Sequence, residues 1–431
     1  MYKKCNELKE WSSYAVAVML LVDCRAMIGY MDITPKWWFV FKNSVMILLL
    51  IVAICVRNNG KVVMSKKQLM SIFLLGGYLL CYLMMSGYSL FSNFQRIAIV
   101  LLLLIYSALE EKRDGIQELL CKYKNIVFVV AIGSFILWLM GVVLKLGIPY
   151  SVIYTSWSGT DKLRMIESYY GICNLIGTVD ILGMTIPKNA AIFTEAPMAS
   201  FNFCIALMTE LFLEKKSSKV KISVFVMAIV STFSSTGLTF LIMLLVLKYS
   251  AQKQRDNIRV IIKCFILPIM SVVGILLAME MFNAKMTVNS GVIRLDDFVV
   301  CFQAWKTKKL LGAGVGNDQY LIHFMGNWRA FNQGLSNSPG QILAHGGIWI
   351  TAVYVWAIFY SLYKILKEKN NKNLIYFILF LYLFAITVCS YQYVTYTILI
   401  WAVQLHMINH KEYLSDKDKT WKLHQVQNNL R

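Results

Sequence analysis

Charge is what this sequence has least of. Asp, Glu, Lys and Arg make up 15% of its 431 residues, against 58% hydrophobic residues and a positive mean hydropathy. That balance excludes an ordinary soluble enzyme. A cleavable leader with a small-residue cleavage site is also missing, because Trp11 to Tyr30 runs straight into further apolar segments, so the first segment is expected to stay. The ten cysteines lie mostly inside apolar runs (Cys24, Cys55, Cys81, Cys204, Cys264, Cys389) with no C-x-x-C pair. They read as small buried hydrophobes rather than as a disulfide frame. The five histidines show no H-E-x-x-H or comparable spacing, so neither a metal site nor a cofactor has sequence support.

What is there is a series of apolar runs long enough to cross a hydrocarbon core as helices. Spans are expected at about Trp11–Tyr30, Trp38–Val56, Leu69–Tyr88, Phe94–Leu109, Asn125–Leu146, Met198–Leu213, Ile222–Phe233, Leu238–Lys248, Val260–Phe282, Gly340–Tyr363, Leu374–Val388 and Val394–Met407. The expectation is a single all-α, polytopic integral membrane domain over residues 1–431 with about twelve transmembrane helices. The net charge of +20 is explained by location and not by nucleic acid. With Ile222–Lys248 read as two short helices meeting at Ser234-Ser235-Thr236-Gly237, every second connection collects lysine and arginine, which the positive-inside rule places in the cytoplasm together with both termini and the tail 411–431. The meeting point of two helices that short is expected to line a water-filled cavity.

Two connections on the other side are long, 147–197 and 283–339, and function is expected there. The first carries Arg164 and ends in Phe193-Thr194-Glu195-Ala196-Pro197. Glu195 precedes a helix that Pro197 starts cleanly, so its carboxylate is either a helix cap or a reactive group held at the membrane surface. In the second, Leu295, Phe298, Val299, Phe302 and Trp305 recur at helical spacing, the pattern of an amphipathic helix lying on the membrane face. Arg294 falls in its first turn, where the helix dipole does not favour a cation. It is either snorkelling to headgroups or presenting its guanidinium fork to a phosphate. Lys306 closes the helix. The segment Gly312-Ala313-Gly314-Val315-Gly316 has neither the preceding strand of a dinucleotide fold nor the Gly-Lys-Ser/Thr of a P-loop, and reads as a tight turn.

The order of these features resembles the shared region of bacterial O-antigen ligases and O-antigen or capsule repeat-unit polymerases. An arginine-bearing outer helix and a G-x-G-x-G turn are followed by Asn337, which opens a helix running to His345-Gly346-Gly347-Ile348. Upstream, Phe193 to Pro197 is similar to that superfamily's F-x-E-P, and Phe233 to Gly237, with Ser235 at its centre, to its Ser-Arg/Thr-Gly element. Ligases carry His-Asn where this chain has Ser336-Asn337, which favours the polymerase.

The resemblance implies a GT-C-like, metal-independent membrane glycosyltransferase in the bacterial cytoplasmic membrane. Its substrate would be an oligosaccharide repeat on undecaprenyl diphosphate, with a chain-length regulator as a partner beside the bilayer itself. It also implies site residues: Glu195 as base or acceptor-orienting group, Arg294 and Arg164 on the diphosphate, Arg329 or Lys306 assisting, with Asn337 and Ser235 in the same motifs. Asp161, Asp180, Asp296, Asp297 and Asp318 are further candidate bases, and His345 a poorer one inside its apolar span. The rival classes are the ligase and a flippase or other secondary transporter, which Asp23, Arg25, Lys42, Arg96 and Lys145, within or near apolar runs, keep open.

Overall fold

The computed structural model describes residues 2–57, 64–108, 115–155, 163–181, 183–250, 290–329 and 334–404. The expected span Val260–Phe282 and the tail 411–431 lie outside these residues, as do Asp161 and the first residues of the second long loop.

The chain is mostly helical. Among the described residues, five helices are long and apolar enough to cross a membrane: α2 (Trp38–Arg57), α3 (Lys66–Ser86), α4 (Leu90–Ala108), α5 (Gly115–Trp138, continued by a π turn to Val143) and α11 (Ser338–Glu368). The shorter apolar helices are α6 (Ala196–Phe212), α8 (Ser235–Ser250), α12 (Asn371–Ile386) and α13 (Tyr393–Gln404). α1 (Tyr2–Asp23), α7 (Lys219–Ser231), α9 (Ser290–Thr307) and α10 (Asp318–Ile322) complete the helices named here. α1 stops at Asp23, well before the expected Tyr30, because the chain reverses at Arg25 in a left-handed conformation (φ 56°).

α6 is the centre of the bundle. Every residue from Met198 to Glu210 is buried, as a helix apolar all round requires, and α5, α7, α8 and α12 pack about it. The outer helices turn Leu69, Phe73, Met84, Val129 and Phe359 outward, the apolar surface that lipid covers. Local sequence sets the ends. Ser65 and Gln68 form a capping box on α3, Ser218 accepts from the Lys221 amide to start α7, and Asn370 accepts from Lys372 and Asn373 to start α12.

The all-α expectation is corrected in one place. The first long loop folds as a four-stranded antiparallel meander, β1 (Ser151–Thr155), β2 (Arg164–Tyr169), β3 (Cys173–Ile181) and β4 (Met184–Asn189), paired in sequence order. It sits on the end of α5, where Trp138, Tyr169 and Cys173 form a small core and the Trp138 indole donates to the Pro187 carbonyl at 2.8 Å. Its other side is tied to the connection after α1: Met31 bridges Thr155, the Thr155 hydroxyl donates to the Tyr30 carbonyl at 2.6 Å, and Ala26 bridges Phe193.

At the opposite end of the bundle, buried Lys124 pairs with Glu210 at 2.7 Å and with Glu214, and Glu118 receives both Arg57 and Lys122.

Candidate functional site

The glycine turn positions the site. α11 is a broken helix: Gly347 stands at φ 57°, ψ −159° inside it, which frees backbone groups at membrane depth that must be satisfied by protein. The turn satisfies them. Ala313 and Gly314 donate to the carbonyls of Ala344 and His345 at 2.8 and 2.9 Å, while Ile348 and Trp349 donate back to Lys309 and Leu310 at 3.0 and 3.1 Å. The Tyr82 hydroxyl bonds the Leu311 and His345 carbonyls. All three turn glycines have positive φ (66°, 97° and 85°), and a Cβ on Gly312 would stand 2.6 Å from the Gly347 nitrogen. The G-x-G-x-G segment is a backbone clamp on a helix break.

The clamp sets Asn317 and Asp318. Asn317 caps α10 by accepting from the Tyr320 amide, and its own amide holds the Ala313 carbonyl at 3.0 Å. Asp318 Oδ1 then lies 3.3 Å from Nε2 of His345, which is fully buried and stacked on Tyr391 (centroids 5.9 Å, planes 14° apart). Beside it, Arg96 of α4 passes over Gly316, whose Cβ position is 3.1 Å from the guanidinium. Arg96 donates to Asn93 at 3.0 Å and reaches the Tyr391 ring, with no carboxylate in ion-pair range among the described residues.

Glu195 does not cap α6, although it occupies the cap position. Its carboxylate takes the Arg25 guanidinium instead, at 2.9 Å. Two residues back, Asp23 holds Lys42 and accepts from the Tyr393 amide at 2.8 Å, so a second, deeper ion pair lies beneath the first. These groups share one space: the fields of Arg25 and Arg96 both bear on Asp318, and those of Arg25, Asp23, Asp318 and Glu195 all bear on Tyr30. The Asp318 side chain is 70% exposed, so the recess that these charges border opens to solvent there. Enclosure alone would raise its pKa, but the His345 imidazole at 3.3 Å, with the charges of Arg25 and Arg96, holds it below the usual carboxylate value.

The sequence-expected residues fall in three places. Glu195 is in this recess. Asn337 caps α11 as expected, accepting from the Gly340 amide at 2.7 Å, and is buried with its own amide nitrogen unpartnered among the described residues. Ser235 begins α8, and the two-helix reading of Ile222–Lys248 holds, with the break at Thr232–Ser234. Arg294 is half-buried on α9, within electrostatic reach of Tyr382, whose hydroxyl donates to the Thr236 carbonyl. That places it beside the Ser-Thr-Gly element. Lys306 is exposed over the Phe302 ring at 4.7 Å. Arg164 opens β2, in register with Thr155 on the strand that meets Tyr30.

Arg329 is a correction. It is 1% exposed and closed between Asp296 (2.9 Å) and Asp297 (2.7 Å), with a further bond to the Gly334 carbonyl. It is a structural counter-ion for a buried carboxylate and has no face left for a diphosphate. α9 itself has the two faces its spacing implied. Leu295, Phe298, Val299 and Phe302 are exposed, while Asp297, Val300, Cys301 and Ala304 turn inward.

Arg25 and Arg96 are the functional candidates that motif reading missed. Both were legible as charges at the ends of apolar runs; only the fold brings them to one recess. Compared with known proteins, the chain matches no family model and no curated sequence.

Proposed function

We propose that this protein is a membrane glycosyltransferase that polymerises oligosaccharide repeats carried on undecaprenyl diphosphate, built as a GT-C-like bundle of about twelve spans with its sheet end at the outer face of the bacterial cytoplasmic membrane. The observation that carries the reading is the recess in which Arg25, Arg96, Glu195 and Asp318 converge at one end of an apolar bundle. Glycosyl transfer from a lipid diphosphate needs positive charge where the diphosphate departs and a carboxylate near the attacking hydroxyl. Arginine supplies the first through a planar fork matched to phosphate oxygens. In this reading Arg96 and Arg25 face the diphosphate, Arg294, Lys306 and Arg164 are the outer cations that meet the substrate, and Glu195 fixes Arg25 and orients the acceptor. A chain-length regulator is a partner of the same proposal.

One observation favours a second reading. The Asp23–Lys42 pair is buried inside the bundle, the kind of paired intramembrane charge that transporters use. Glycan length separates the two. A strain lacking the protein is complemented with wild type, Arg96→Ala or Arg294→Ala at matched membrane abundance, and surface glycan is run on a gel. The polymerase reading expects a ladder with wild type and single repeats with no protein or with Arg96→Ala. Loss of even single surface repeats in the deletion strain assigns transport or attachment instead.

A further inference from the structure

Asp318 is the open carboxylate of the recess. Its side chain is 70% exposed, against 34% for Glu195 and 7% for Asp23. The other two are each held by a cation, Glu195 by Arg25 and Asp23 by Lys42. Asp318 faces an imidazole instead. His345 is held by the helix break, by burial and against the Tyr391 ring, and its Nε2 stands 3.3 Å from Oδ1, which leaves Oδ2 for a donor. The glycine clamp holds Asp318 from the other side through the Asn317 cap. An exposed carboxylate set beside a buried imidazole and within the field of two arginines has the geometry of a general base.

We infer that Asp318 is the general base for the acceptor hydroxyl and that His345 is its positioning residue. The inference rests on the glycan-polymerase reading and deepens it. In the step, the acceptor hydroxyl oxygen forms the bond to the anomeric carbon as the bond from that carbon to the phosphate oxygen breaks. The lipid diphosphate leaves with the bonding pair, and the hydroxyl proton passes to Oδ2 of Asp318. No oxidant, reductant or further reactant is needed. Glu195, tied to Arg25, is thereby assigned to positioning and not to proton transfer.

The test uses the full-length protein in lipid vesicles with a lipid-diphosphate-linked oligosaccharide repeat, comparing wild type, Asp318→Asn, Asp318→Glu, His345→Gln and His345→Phe. Asp318→Asn is expected to lower kcat by about 10²–10⁴-fold with KM for the lipid-linked repeat little changed. His345→Gln, which still offers an N–H, should keep more activity than His345→Phe. The pH profile separates positioning from bulk structure. Asp318 is faced by His345 of α11, Arg25 after α1, Arg96 of α4, and by Tyr30, Tyr391 and Cys301. The base works above its pKa and is lost as pH falls through it, so removing the His345 contact should move the acid limb to higher pH in His345→Phe. Wild-type kcat in Asp318→Asn, with wild-type protein polymerising, overturns the assignment and leaves the polymerase standing. Absence of polymer with wild type overturns the polymerase reading itself. Should Asp318→Asn fail to accumulate, Asp318→Glu decides: a carboxylate one methylene too long is expected to cut kcat at least about tenfold, and wild-type kcat overturns the assignment.

Discussion

Two cations that look alike in the sequence, Arg329 and Lys306, are set apart by what surrounds them. Arg329 is enclosed with Asp296 and Asp297, and burial pushes the Asp297 carboxyl up even against the Ser336 hydrogen bond and the Arg329 charge. Removing the arginine strands that carboxylate, and an uncompensated buried charge costs about 3–5 kcal/mol. Arg329→Ala is therefore expected to lower thermal stability and membrane yield while turnover per folded molecule stays near wild type. Lys306→Ala, at an exposed position, should move stability by less than about 0.5 kcal/mol. Thermal unfolding in detergent with parallel turnover measurements checks both. A turnover loss in Arg329→Ala without a stability loss would return Arg329 to the substrate site.

At the scale of elements, the break in α11 and the glycine turn are one device. Gly347 and Gly312 meet backbone to backbone: a Cβ on Gly347 would stand 2.3 Å from the Leu310 carbonyl oxygen, and its φ of 57° disfavours any L side chain. Gly347→Ala is expected to displace the clamp, and with it Asp318, lowering melting temperature and activity together. Gly77→Ala in α3 meets nothing within 4 Å and should be neutral or stabilising by about 0.5–1 kcal/mol. Equal melting temperatures for the two variants would show that the clamp carries no strain. The long apolar helices α2, α3, α4, α5 and α11 and the break between α7 and α8 were legible in the sequence because long apolar runs and the polar residues that interrupt them are local signals. The docking of the turn was not, since its bonds are all backbone and residues 309–314 pair with 344–349 across the fold. The sheet went unread for another reason. Its strands are short and mostly exposed, and only the alternation from Arg164 to Tyr169, with Tyr170–Gly171 turning at positive φ, marks them against a strongly helical chain.

For the whole molecule, the two ends of the bundle carry different chemistry, and the function depends on which end faces out. The sheet end holds the recess of Arg25, Glu195, Arg96, Asp318 and His345. The other end holds balanced ion pairs, Arg57 and Lys122 on one Glu118 and Lys124 between Glu210 and Glu214, and takes its basic excess from the lysines that begin α3 and end α11. Anionic lipid of the cytoplasmic leaflet and the bias of membrane insertion both favour that basic end inside. Under the polymerase proposal, a lipid-linked glycan displayed on the outer face would meet the sheet end first, and the exposed apolar stripe of α9, Leu295, Phe298, Val299 and Phe302, would face its polyprenyl chain. Single cysteines placed at Met184, in the β3–β4 hairpin, and at Lys369, between α11 and α12, test the orientation in a chain whose native cysteines are replaced. A membrane-impermeant maleimide is expected to label Met184→Cys in cells with a permeable outer envelope and Lys369→Cys only in inverted vesicles. The reverse pattern puts the recess in the cytoplasm, where a glycan already displayed outside cannot reach it, and removes the ground for polymerisation at the outer face.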